Sequence, residues 1–273
     1  MSSLERIQCQ WCQTQNPLDA KSCSACGAPL DVRSVVSDSG WFAAPRIRDL
    51  TEIQFGNSRC QVEGTIVPVV DLDLGAEDQV YFEHNVMLWK DPNVPLENMS
   101  LQGASKRMLA GMPVITTIAR GPGRIAFSRD AAGELVVLPM QPGVELDVRE
   151  HAFLLASMSL DYSYTRIQGL RNIFFGGQGM FMDRFVSSGT HGLLILHGCG
   201  NVFQRNLDRG ESILVEPGGF LYKDASVTME VETLQLGGGM FGALLGGGVH
   251  MVRMTGPGRL GIQSMTHHLL SGE

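Results

Sequence analysis

Four cysteines near the start of the chain carry its most explicit chemistry. They read Cys9-Gln10-Trp11-Cys12 and, ten residues on, Cys23-Ser24-Ala25-Cys26. Two CxxC pairs at this distance can present four thiolate sulfurs to one tetrahedral ion. Such a set holds structural zinc, and small modules built on it often fold only with the metal. One zinc bound by Cys9, Cys12, Cys23 and Cys26 is therefore expected. Four thiolates leave no open coordination position, so this metal is expected to be structural rather than catalytic. The alternative for a CxxC is a redox dithiol. That chemistry usually opens a helix within a βαβ unit, and neither element is legible around these residues.

The other candidate groups are dispersed. His197-Gly198-Cys199-Gly200-Asn201 is similar to part of a cupin metal motif, but the earlier His-x-His partner is missing, because His84 stands alone. His151, His191 and His250 fall at unrelated points, and His267-His268 lies in the tail. A lone histidine in a β-domain is more often a surface or satisfied core residue than a ligand. Asp71 and Asp73 alternate with Val70, Leu72 and Leu74, which assigns both carboxylates to the solvated face of a strand. No Gly-x-Ser-x-Gly elbow is present, and no lysine follows a glycine-rich turn as a phosphate loop requires. The expectation is a protein that is not an enzyme. An unrecognised enzyme using clustered His and Asp residues is the more distant alternative.

Composition narrows the setting. The chain has 273 residues, 44% hydrophobic and 18% charged, with a formal net charge of −7. That length suits one large domain and a small module. The acidic balance argues against nonspecific attraction to nucleic acid or to an anionic membrane. Cys60 and Cys199 are the only cysteines outside the paired motifs, so a disulfide framework is not expected and a reducing cytosol is the natural compartment. The N-terminus lacks a basic segment followed by an apolar run, so no signal peptide is expected. Leu234 to Val252 carries no charged side chain, yet seven of its residues are glycine. Glycine disfavours a helix, and the stretch reads as turns between short strands rather than as a membrane span.

From about Thr51 the chain repeats itself. Gly75, Gly143 and Gly210 each precede an apolar strand, at intervals of 68 and 67 residues. Gly121, Gly189 and Gly256 open glycine turns before Ile125, Leu193 and Leu260, again 68 and 67 apart. Gly64, Gly133 and Gly200 follow at 69 and 67. Between the turns, Leu146 and Val148 alternate with Glu145, Asp147 and Arg149; Val227, Met229 and Val231 alternate with Thr228, Glu230 and Glu232. Period-two alternation places one face on a core and the other in water. The expected fold is all-β: a pseudo-threefold repeat of antiparallel units, about 51–130, 131–198 and 199–266. Ile125 and Phe127, Leu193 and Ile195, and Leu260 and Ile262 are expected to be buried strand positions.

Phe174-Phe175-Gly176-Gly177-Gln178-Gly179-Met180-Phe181-Met182, followed by Gly189-Thr190, resembles a motif of the mitochondrial-biogenesis, or altered-inheritance-of-mitochondria, family. So do Gly210-Glu211-Ser212-Ile213-Leu214-Val215-Glu216-Pro217-Gly218, Gly246-Gly247-Gly248 and Thr255-Gly256-Pro257-Gly258. The resemblance covers roughly Thr51 to Met265 and rests on glycines and hydrophobic residues. It implies a fold similar to the tryptophan RNA-binding attenuator protein. The family's bacterial members lack an assigned reaction, and its fungal mitochondrial member is tied to inner-membrane organisation. Separately, Cys9 to Leu30 resembles the short bacterial zinc-ribbon module, with Asn16-Pro17, Ala20-Lys21 and Cys26-Gly27-Ala28-Pro29 in its usual pattern.

These readings divide the chain into a zinc ribbon (1–31), a linker (32–50) and a three-repeat β-domain (51–273). Arg33, Ser34, Ser37, Asp38, Ser39, Gly40 and Pro45 make the linker polar and irregular; Trp41 and Phe42 interrupt it and read equally as an anchor on the next domain or as its first buried residues. The expected role is a noncatalytic scaffold whose ribbon docks a protein partner. An RNA- or small-ligand-binding module, by analogy of fold, is the alternative. RNA is disfavoured, because residues 1–31 hold Arg6 and Lys21 against Glu5, Asp19 and Asp31, and a zinc centre with four thiolates adds two negative charges. Peripheral membrane association and self-association are left open.

Overall fold

The computed structural model describes residues 6–8, 14–17, 20, 22–25, 41–43, 52–99, 116–167, 180–235 and 248–265. The chain divides into two units, residues 1–43 and 44–273. Every regular element among the described residues is a β-strand or a short 3-10 turn. In the smaller unit, β1 (Arg6–Gln8) and β2 (Gln15–Pro17) form an antiparallel pair with Ile7 opposite Asn16. The stretch read as an irregular linker contains a two-residue strand, β3 (Phe42–Ala43), and Trp41 beside it is half-buried.

The larger unit begins with β4 (Glu52–Phe55) and β5 (Ser58–Glu63). Then come β6 (Val69–Leu74), β7 (Gln79–Glu83), β8 (Met87–Lys90), β9 (Leu96–Asn98), β10 (Thr116–Arg120) and β11 (Gly123–Phe127). The middle stretch gives β12 (Gly133–Met140), β13 (Glu145–Arg149), β14 (Phe153–Ser157), β15 (Leu160–Ile167), β16 (Met180–Ser187) and β17 (Gly192–Cys199). The last gives β18 (Val202–Leu207), β19 (Ser212–Val215), β20 (Phe220–Asp224), β21 (Thr228–Gln235), β22 (Gly248–Thr255) and β23 (Gly258–Gln263).

Pairing follows a recurring scheme. From each stretch's first to its sixth strand, the first pairs with the sixth, the third with the sixth, the second with the fifth and the fourth with the fifth. This gives β6·β11, β8·β11, β7·β10 and β9·β10. It gives β12·β17, β14·β17, β13·β16 and β15·β16. It gives β18·β23, β20·β23, β19·β22 and β21·β22. Two further pairings join the stretches, β7 to β14 and β13 to β20. The resulting strand orders are β12-β17-β14-β7-β10-β9, β15-β16-β13-β20-β23-β18, β4-β5-β6-β11-β8 and β19-β22-β21.

The core is apolar and branched or aromatic, as strands that pack face to face require. One cluster gathers Val136, Leu146, Phe153, Phe185, Leu194 and Tyr222; a second gathers Leu72, Phe82, Ile125, Phe127, Leu155 and Ile195. Of the positions expected inside, Ile125, Phe127, Leu193, Ile195 and Leu260 are buried, and Ile262 is half-buried. Glycine opens β11, β17 and β23 for two different reasons. Gly123 and Gly258 adopt φ of 140° and 139°, where a side chain is strained. Gly192 has an ordinary φ, but a Cβ there would lie 2.2 Å from the Leu160 side chain.

Alternation misassigns several charged residues. It places Asp71, Asp147 and Arg149 in water, and all three are buried. At these three positions the polar face is itself covered, so period two still separates polar from apolar but does not mark the solvated side. Asp73, in contrast, is exposed. The uncharged stretch before Val252 contains the end of β21 and the start of β22, with Leu234 opposite Val249; residues 236–247 lie outside the described set. No helix among the described residues is long and apolar enough to cross a membrane.

Candidate functional site

The predicted metal centre comes first. Of its four predicted ligands, Cys23 is among the described residues; Cys9, Cys12 and Cys26 lie outside them. Cys23 is buried in the turn that follows β2. Its Sγ accepts the backbone N–H of Ala25 at 3.4 Å and the side-chain amide of Asn16 at 3.6 Å. Asn16 is wholly buried, and its Oδ1 accepts from both the N–H and the hydroxyl of Ser24, each at 2.9 Å. The Asn16 amide therefore ties the β1–β2 pair to the cysteine turn. Donors aimed at sulfur favour the thiolate over the thiol, the ligand form that zinc needs. This surrounding fits a structural metal ligand. In the sequence Asn16 stands out only through the family pattern, and nothing in its spacing announces a contact with Cys23.

The larger unit holds a buried ionic centre that alternation conceals. Asp147 on β13 lies between Arg184 of β16 and Lys223 of β20. Its oxygens accept from Arg184 at 2.7 and 3.0 Å and from Lys223 at 2.8 Å. Burial pushes the Asp147 carboxyl up, but hydrogen bonds from Arg184 and then Lys223 reverse this and hold it below its ordinary value. The Arg184 guanidinium is correspondingly raised, first by its hydrogen bond to Asp147. Glu83 and Arg129 form a second buried pair at 2.9 Å, with Arg129 also donating to the Phe153 carbonyl at 2.6 Å. Arg149 donates to the Pro217 carbonyl at 2.9 Å, and burial lowers its pKa. Arg124 pairs with Asp71 at 2.6 Å and sits over the Trp89 ring.

The remaining reactive types are quiet or dispersed. Burial pushes the Cys60 thiol up to about 12 and also raises that of Cys199. Neither has the lowered pKa of a nucleophilic thiol. His197 is 2% exposed on β17, and neither ring nitrogen completes a hydrogen bond. Burial, and then the charge of Arg129, lower its pKa to about 4. His250 shares a hydrogen bond with Thr233 at 3.0 Å, His151 lies at positive φ, and His191 is an exposed turn residue. Among the described residues no three His, Cys, Asp or Glu side chains gather in metal-binding geometry. His267 and His268 lie outside the described residues. A cavity of about 550 Å³ opens beside Phe55, Val137, Met158, Ser159, His191 and Leu193. Its hydroxyls are already engaged: Ser157 and Ser159 share a hydrogen bond at 2.8 Å, and Ser159 donates to the His191 carbonyl.

Comparison with known proteins adds to this geometry. Residues 8–30 match the family described as zinc-ribbon domain. No curated protein matches the chain. A protein from Streptococcus pyogenes, solved by X-ray crystallography, has a similar fold, with a TM-score of 0.59 and 21% identity over 77% of this chain and 94% of that one. With its all-β larger unit and a match over residues 60–265 to the family described as Mitochondrial biogenesis AIM24, the chain belongs to that family.

Proposed function

We propose that the protein is a noncatalytic binding scaffold. In this reading the zinc-bearing N-terminal module docks a protein partner and the β-unit serves as its stable body. The observation that carries the reading is the Asp147 centre. A reaction site needs accessible groups tuned toward the reactive form. Here the most strongly placed carboxylate is neutralised by two cations, and the thiols of Cys60 and Cys199 are pushed away from the thiolate. Membership of the family and the ribbon match both agree with a binding role. The net charge of −7 favours a protein over a nucleic acid as partner. Cysteines in metal spacing and the deeply buried Cys60 suit a reducing compartment, the cytosol.

The test is chemical cross-linking in lysate with the full chain and with a chain lacking residues 1–31. The full chain should recover a defined protein partner that the shortened chain loses. Equal recovery by both would remove the ribbon from docking. The cavity beside Met158 favours a second reading, a small and mostly apolar ligand, since its size falls within the range of ligand pockets. A ligand there would shift the amide resonances of Phe55, Met158 and Leu193 together.

A further inference from the structure

The pairing that joins neighbouring stretches is made twice and left unmade once. The second strand of the first stretch, β7, pairs with the third strand of the next, β14. The second strand of the middle stretch, β13, pairs with the third strand of the last, β20. The same rule leaves β19, a second strand, and β8, a third strand. Both are edges: β8 ends the β4-β5-β6-β11-β8 sheet and β19 ends β19-β22-β21. Among the described residues no strand pairs with either outer edge.

The side chains of these edges suit a buried junction. The strands β8, β14 and β20 share one local design, each meeting its sixth-strand partner with a register shift at the second residue. Leu88, Leu154 and Leu221 occupy that place. Leu154 and Leu221 are fully buried, whereas Leu88 is 58% exposed. Trp89 is 40% exposed where Leu155 and Tyr222 are buried. On the facing side, Ile213 is half-buried where Val80 and Leu146 are fully buried. An exposed apolar strand edge is a template for another strand.

We propose that β8 and β19 form a self-association interface, in which β8 of one copy pairs antiparallel with β19 of a second copy. The two existing junctions fix the register. Leu155 lies opposite Phe82 and Tyr222 opposite Val148, which places Trp89 opposite Val215. Ala156 lies opposite Tyr81 and Lys223 opposite Asp147, which places Lys90 opposite Leu214. The occupant is a second copy because each edge needs what the other offers, and within one copy the two remain unpaired. The same alignment shows why this junction is the weak one. Lys223 meets the carboxylate of Asp147, whereas Lys90 would meet the apolar Leu214. The interface is heterologous, so copies add head to tail unless the rotation closes a ring.

Light scattering on the full chain across a concentration series tests this, with hydrogen exchange read on residues 87–90 and 212–215. The weight-average mass should rise with concentration, and both segments should gain protection together. Leu88→Glu should return the mass to one chain at every concentration without lowering the melting temperature, because Leu88 is exposed in the single copy. Leu214→Asp, which supplies the counter-charge for Lys90, should shift association to at least tenfold lower concentration. A mass of one chain throughout, or protection of both segments in a single-chain species, would overturn the proposal. So would association that survives Leu88→Glu.

Discussion

In residues 1–43 the described buried side chains are Asn16 and Cys23, an amide and a thiol joined by a hydrogen bond. In residues 44–273 they are mainly valine, leucine and phenylalanine, with charges admitted beside a counter-charge, as at Asp147, or beside a carbonyl or hydroxyl, as at Arg149 and Asp183. The contrast follows from size. A unit of some forty residues cannot remove enough apolar surface from water to offset chain entropy, so modules of this size commonly rely on metal ligation, and the zinc-ribbon match over residues 8–30 suggests zinc binding in this one. A unit five times longer can, and its buried ion pairs then add more constraint than net stability.

Changing one unit at a time should break the comparison if it is wrong. The largest effect is expected from Cys23→Ser. Bound zinc should fall from one per chain to near zero by atomic absorption, with loss of the smaller unit's fold. Zinc supplies on the order of 10 kcal/mol to modules of this type. In the larger unit, Asp147→Ala strands Lys223, which is nearly inaccessible to water. Urea unfolding should show a loss of about 3–5 kcal/mol, with zinc content unchanged.

His197 gives the pH dependence. Its ring stays neutral in the fold down to about pH 4 but takes a proton near 6.5 when the chain unfolds. Between these values the unfolded chain binds more protons, so stability falls as pH falls through that window. The loss should approach about 3 kcal/mol by pH 4. His197→Gln should flatten this part of the urea-stability profile; a profile identical to that of the parent would refute the assignment. The smallest effect belongs to Asp71→Asn. Its partner Arg124 is half exposed, and the unfolding free energy should change by less than ~1 kcal/mol.

What can be read from the sequence follows the range of each interaction. The four cysteines are local, and their spacing alone points to a metal. Turn glycines are local too: of Gly75, Gly143 and Gly210, placed before strands at one interval, Gly143 and Gly210 adopt positive φ and Gly75 does not. Strand type is legible from alternation at Leu146 and Val148. The fate of Asp147 is not, because its partners lie 37 and 76 residues away on β16 and β20. Period two reports that two faces differ but not whether the polar one is covered. His197 is hidden for the same reason, since its proton affinity depends on burial and on Arg129 from the loop after β11. Asn16 shows the limit even at short range, because its contact to Cys23 depends on how the turn folds back.

The division of labour between a metal-held docking module and a self-sufficient β-unit is tested most directly by scanning calorimetry of the full chain before and after zinc removal with a tight chelator. The main transition, belonging to residues 44–273, should shift by less than about 2 °C, which corresponds to under ~1 kcal/mol for a unit of this size. Any smaller transition of the N-terminal module should disappear. A main transition that collapses or moves by about ten degrees on zinc removal, several kcal/mol on the same scale, would contradict the account, because the ribbon would then be part of what holds the β-unit together.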